Sequence, residues 1–161
     1  MANEIYHSAL IFNLNERLFI NALDGLTEVQ IKERLSGHNN PISWIAAHTV
    51  WARYNILMFL GQPAKNPFDA HFEGFKAYSD SIEYPLLETI KAEWHKASAL
   101  LKEAFQAVSA TQLAAESPVK SPIGDTTISG TIAFLAQHES YDIGQIAFLK
   151  KYYTGEAMKY N

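Results

Sequence analysis

The chain has 161 residues, 13 basic against 17 acidic, with six histidines and no cysteine. Its length suits one domain over residues 1–161, and a net charge of −4 argues against a nucleic-acid partner, which needs a basic face to neutralise phosphates. Without cysteine there is no disulfide framework, no thiolate nucleophile and no Cys-held zinc or iron–sulfur site, so any metal would need nitrogen and oxygen ligands.

Four long helical patterns follow in chain order. The first spans about residues 4–23, rich in Leu, Ile and Phe and free of Gly and Pro, and ends near Asp24 and Gly25, with Gly25 suited to a left-handed cap. A short turn from Thr27 to Leu35 leads to Asn40 and Pro41, an N-cap residue followed by proline at the first helical position. The second helix then runs to about Leu60 and stops at Gly61, with Ile42, Ile45, Thr49, Ala52, Ile56 and Phe59 on one buried face.

Residues 61–82 form a long connection rich in Pro and Phe, of a length that usually crosses a bundle or covers a site. The third helix, about residues 85–108, carries the unbroken stripe Leu87, Ile90, Trp94, Ala97, Leu101, Ala104 and Val108. A turn at 110–115 and a turn-rich stretch at 118–125 precede the last helix, from near Thr127 to Tyr153, closed by Gly155. Strand signals are weak. The pattern predicts an all-α four-helix bundle with at least one crossover. No apolar run approaches the ~18 residues of a membrane span, and the first residues carry an acid where a targeting signal would be basic. The expectation is a soluble cytoplasmic protein.

On the last helix Leu135, Ile128, Ile146 and Leu149 define the buried stripe, and a rotation of about 100° per residue puts His138 at about −60° and Asp142 at about −20° from Leu135. An ionised Asp there is unfavourable unless paired or bound to a metal. His138 and Asp142 are four residues apart, so they share a face and can converge on one ion. A plain His–Asp ion pair gives the same spacing, and buried charges are more often paired than catalytic. His48, between Trp44 and Trp51, lies at the edge of its helix's stripe and reads by itself as a core histidine bonded to a carbonyl. Bundles, however, build metal sites from inward side chains on facing helices.

The stretches Trp44 to His48 (WIAAH) and His138 to Gln145 (HESYDIGQ) resemble the two signature regions of the DinB/YfiT-like superfamily of small metalloproteins. The likeness covers nearly the whole chain and includes the NPISW run, Asn40 to Trp44, that precedes the His-bearing helix. It implies an up-down-down-up four-helix bundle, often dimeric, with a divalent metal on three histidines. Position by position, His48 matches the first ligand and His138 the second. Asp142 stands where the family usually has its third histidine, giving the set His48, His138 and Asp142. Two His and a carboxylate recur in zinc and non-haem iron sites. The ion could be zinc, nickel, iron or manganese, and the carboxylate tilts the preference towards harder ions. The competing outcome is a metal-free bundle, serving as a binding module, in which Asp142 pairs with a histidine.

Several neighbours carry two readings. Gln145, one turn beyond Asp142, either orients a metal-bound water from behind the ligands or bonds a facing helix. Glu139 reads as a solvated or capping acid before it reads as a general base, and Gly144 as a close-packing point. Phe134, Tyr141 and Phe148 recur every seven residues, as a second core stripe or a dimer interface. Charged residues are only 19% of the chain, against roughly 25% on average, so a second subunit covering apolar surface is expected. His71 reads as an exposed loop residue or a lid residue; His7, His38 and His95 lack partners. No Gly-x-Ser-x-Gly elbow, P-loop or Gly-x-Gly-x-x-Gly appears. The resemblance leaves two metal-assisted chemistries, hydrolysis and thiol-dependent transfer, and the latter would take its thiol from a small cosubstrate.

Overall fold

The structure is a computed structural model that describes residues 2–161; Met1, part of the N-terminal stretch read above, lies outside it. Seven α-helices follow in order: α1 (Tyr6–Leu23), α2 (Glu28–Lys32), α3 (Ile42–Phe59), α4 (Asp69–Phe72), α5 (Leu87–Ala107), α6 (Ala110–Leu113) and α7 (Ile128–Thr154). Four are long and form the bundle. Among the described residues the only β pairing is an isolated bridge between Glu116 and Thr127, and no helix is long and apolar enough to cross a membrane.

Cross-helix bonds give the directions. Ser129 reaches the carbonyl of Glu4, Asn15 donates to Ser140, and Lys150 donates to the carbonyl of Asn21, so α1 and α7 run parallel. Thr49 lies against Asp142 and Arg53 against Glu139, so α3 runs against α7. Phe12 packs on Phe105 and Phe19 stacks on Trp94 at 4.0 Å, so α5 runs against α1. The bundle is therefore up-down-down-up, and the 60–86 connection must travel its full length to begin α5 in the same sense as α3. That is the crossover.

Local chemistry explains the helix ends. Thr127 caps α7 by accepting from the Gly130 N–H, and Gly155 closes it at φ +76°, the left-handed conformation that glycine adopts without steric penalty. Residues 27–35, expected as a turn, hold the one-turn α2, whose Thr27 and Gln30 form a reciprocal capping box. The start of α3 is a correction of one residue. Helical geometry begins at Ile42, with extended Pro41 in the cap position, and no side chain caps the helix. Proline has no side-chain oxygen to accept from the first-turn N–H groups, and Asn40 stands one residue too early.

The centre of the bundle is polar. Arg53, buried on α3, gives Nε and Nη2 to the two carboxylate oxygens of Glu139 at 2.8 and 2.7 Å. Its Nη1 donates to Ser98 on α5, and Nη2 also donates to the carbonyl of Phe12 on α1. The guanidinium lies 3.6 Å above the Trp94 ring. Glu139 is thus not a solvated or capping acid. It is the buried partner of a fixed cation, whose two hydrogen bonds offset the desolvation of its carboxylate.

Two further expectations change. Tyr141 and Phe148 are 62% and 64% exposed, so the seven-residue aromatic repeat is not a core stripe. Gly144 lies exposed between them, and a Cβ built there meets nothing within 4 Å, so it serves no close packing inside the chain.

Removing one partner of a buried bidentate pair strands the other charge. Glu139→Ala should lower unfolding free energy by about 3–5 kcal/mol in urea titration; a loss below about 1 kcal/mol would mean that Arg53 finds another partner.

Candidate metal centre

His48 on α3 and His138 and Asp142 on α7 each offer one ligand atom, and these three atoms lie within 4.8 Å of one another. The two facing helices thus bring together the three residues that the sequence singled out.

Each histidine is steered by an aromatic residue one turn earlier on its own helix. Trp44 stacks on His48 at 5.0 Å and 8°, and Phe134 stacks on His138 at 6.0 Å and 11°. An i, i+4 spacing puts such side chains on one face, one above the other. Phe72, the buried last residue of α4, meets His48 edge-on at 5.4 Å, and Trp51 closes another side. The long connection therefore builds a wall of the site, although not through His71. That residue is half-buried with its ring against Phe68, Phe72 and Tyr84, and its Nε2 lies 3.2 Å from the Glu83 carbonyl. It is neither an exposed loop histidine nor part of the ligand group. His7, His38 and His95 are exposed, away from the three.

The aromatic surround has an electrostatic effect. Burial, and then the charge of His138, push the His48 imidazole down to about 4. His48 is therefore neutral at pH 7, as a metal ligand must be. Its Nδ1 is buried with no hydrogen-bond partner. An orphaned buried ring nitrogen is unfavourable for a plain core histidine and fits one whose partner is a ligand.

Asp142 is also buried. Its Oδ2 lies 3.6 Å from His138 Nε2 and 3.3 Å from Thr49 Oγ1, and its Oδ1 accepts from Gln145 Nε2 at 3.3 Å. These are long contacts. Thr49 Oγ1 is closer to the carbonyl of Ile45, at 2.8 Å, and its single proton serves one acceptor at a time. Burial pushes the Asp142 carboxyl up to about 6; the charge of Glu139 adds to the rise, while His138 and the Thr49 bond pull the other way. Gln145, read in the sequence as orienting a metal-bound water or bonding a facing helix, donates instead to Asp142 on its own helix.

The donor set fits a divalent cation. Two imidazoles and one carboxylate are ligands that zinc, manganese and iron accept, and three protein ligands leave room for a substrate. Both histidines, but not Asp142, line a cavity of about 610 Å³.

A family model described as the DinB superfamily matches residues 11–146, which include all three candidate ligands and Gln145. No curated protein matches the chain.

A carboxyl whose value rises from 3.8 to about 6 on folding opposes folding wherever it is ionised in both states. The opposition is full above about pH 6 and fades as pH falls towards 4. Without metal, Asp142→Asn should therefore raise stability at pH 7 by about 1–3 kcal/mol, with the gain shrinking towards pH 4. Thermal unfolding in chelator across that range checks it, and a destabilised variant at pH 7 would contradict it.

Proposed function

We propose that this chain, which belongs to the DinB superfamily, holds one divalent metal ion on His48, His138 and Asp142 and acts on a small-molecule substrate. The carrying observation is the convergence of two imidazoles and a carboxylate from facing helices beside a cavity that the histidines line. Chemistry supplied by such an ion, when bound, is polarisation of an electrophile and activation of a water or thiol nucleophile. The protein's own residues set the frame. Trp44 and Phe72 fix the His48 ring, Phe134 fixes His138, and Gln145 holds one oxygen of Asp142.

Two reaction types suit this frame: hydrolysis, and transfer to a thiol cosubstrate. With no cysteine in the chain, the thiol of a transfer reaction comes from outside, which favours a reducing compartment such as the cytoplasm. Asp142 in place of a third imidazole lowers the charge of the site by one and introduces an oxygen donor, which favours manganese, iron or zinc over softer ions.

The exposed aromatic face of α7 supports a homodimer. Tyr141 and Phe148 stand out from the helix with Gly144 between them, and the absence of a side chain there lets a partner helix approach closely.

Protein purified without an affinity tag should carry close to one divalent ion per chain by elemental analysis, and the His48→Ala/His138→Ala pair should lose it while staying folded. Asp142→Ala should cut occupancy as well. Substoichiometric metal in wild type and double variant alike would sink the metalloprotein reading in favour of a metal-free binding module. By light scattering at micromolar concentration the wild type should have the mass of a dimer, and Tyr141→Lys/Phe148→Lys that of a monomer. A monomeric wild type would defeat the interface.

A further inference from the structure

The cavity beside the histidines has a volume of about 610 Å³, within the ~300–1,000 Å³ of clefts that bury whole small molecules. Trp51, Phe59, Phe134 and Leu135 give it largely apolar walls. The charged residues that border it, Asp69, Glu73 and Lys120, are all exposed, and Asp69 already accepts a hydrogen bond from Trp51 Nε1 at 3.0 Å. Away from the histidines, the walls offer a charged body no buried counter-charge in exchange for leaving water.

Phe75 borders the same cavity, and its conformation is unusual twice over. Its backbone sits at φ +58°, in the left-handed region that bulky residues avoid, directly after Gly74 at φ +72°. Its ring is 85% exposed and meets Trp51 only edge-on at 6.2 Å. A strained backbone and an unburied phenyl ring are both unfavourable in the free protein. Such strain gathers at ligand clamps, where a bound molecule gives it a use.

We propose that the cavity binds an uncharged, mainly apolar small molecule between Trp51, Phe134 and Phe75, and that Phe75 is the ring buried on binding. The proposal deepens the metal reading by naming the substrate class, and it rests on that reading only for the direction of the ligand's polar end, towards His48 and His138. The apolar body needs no ion.

The test uses N-phenyl-1-naphthylamine, a neutral probe that brightens in apolar surroundings, titrated into the full chain with and without chelator. Saturable binding of one probe per chain is expected in both conditions, so loss of the metal would leave the result intact. Phe75→Ala should weaken binding about tenfold, the scale of one aromatic contact. Ala52→Trp, which fills the cavity from α3, should abolish it. Leu135→Trp serves the same purpose from α7 if the first variant does not fold. Tyr141→Lys/Phe148→Lys, altering the other exposed aromatic face, should change nothing. Binding that survives both filling variants, or that Phe75→Ala leaves untouched, overturns the proposal. So does tighter binding of the anionic analogue 8-anilinonaphthalene-1-sulfonate.

Discussion

A single guanidinium touches all four long helices. Arg53 belongs to α3, bonds Glu139 on α7, Ser98 on α5 and the Phe12 carbonyl on α1, and lies over the ring of Trp94. Its bonds have fixed directions, so they determine how each helix is rotated as well as how close it comes. Buried ion pairs add little net stability over apolar residues of the same volume, but a half-satisfied one is very unfavourable. Rotations of α7 that take Glu139 off the guanidinium are excluded in that way. Because His138 precedes Glu139 and Asp142 follows it by three residues, the same constraint turns the candidate ligands towards α3. On α3, Thr49 and His48 lie four and five residues before Arg53 and meet them there.

The contrast between the two buried carboxylates of α7 is informative. Glu139 has a permanent bidentate cation. Asp142, less than one turn away, has a distant imidazole, a hydroxyl whose proton is better placed elsewhere, and one amide at 3.3 Å. The fold shows at Glu139 that it can neutralise a buried acid completely, and at Asp142 it does not do so. Beside it, the Nδ1 of His48 is buried without a partner. A carboxylate short of positive charge and a ring nitrogen short of a partner have complementary deficits, and a cation would relieve the first directly.

Much of this was legible in the sequence, because helical periodicity reports rotation. The stripe through Leu135 put Asp142 and His138 on or beside the inner face, where the structure has them. The same count puts Glu139 at about +40° from Leu135, as far inside as the residues that define the stripe. Its burial could have been read, and the general habit of glutamate to be solvated obscured it. Tyr141 and Phe148 fall about 120–140° away, outside the stripe, so their exposure was legible too. Other features were out of reach. Periodicity along one helix does not reveal which residue of another helix it meets, so Arg53 was invisible as a partner. The approach of Phe72 to His48 depends on the path of an irregular connection, which no repeat encodes. The one-residue shift at Pro41 reflects the limit of local cap signals when the cap position lacks a bonded side chain.

The depth of the three candidate ligands also orders what they can do. The side chain of His138 is 31% exposed and that of Asp142 only 7%, and the cavity is lined by both histidines but not by Asp142. A molecule entering between Phe75 and Phe134 therefore meets imidazole edges, while the carboxylate stays behind them against Thr49 and Gln145. An apolar occupant would exclude water from the cavity. Electrostatic interactions strengthen as water leaves, so filling the cavity and holding a cation at its inner end reinforce each other. The apolar cavity and the polar cluster are in that sense two halves of one site, set in register by the rotation of α7.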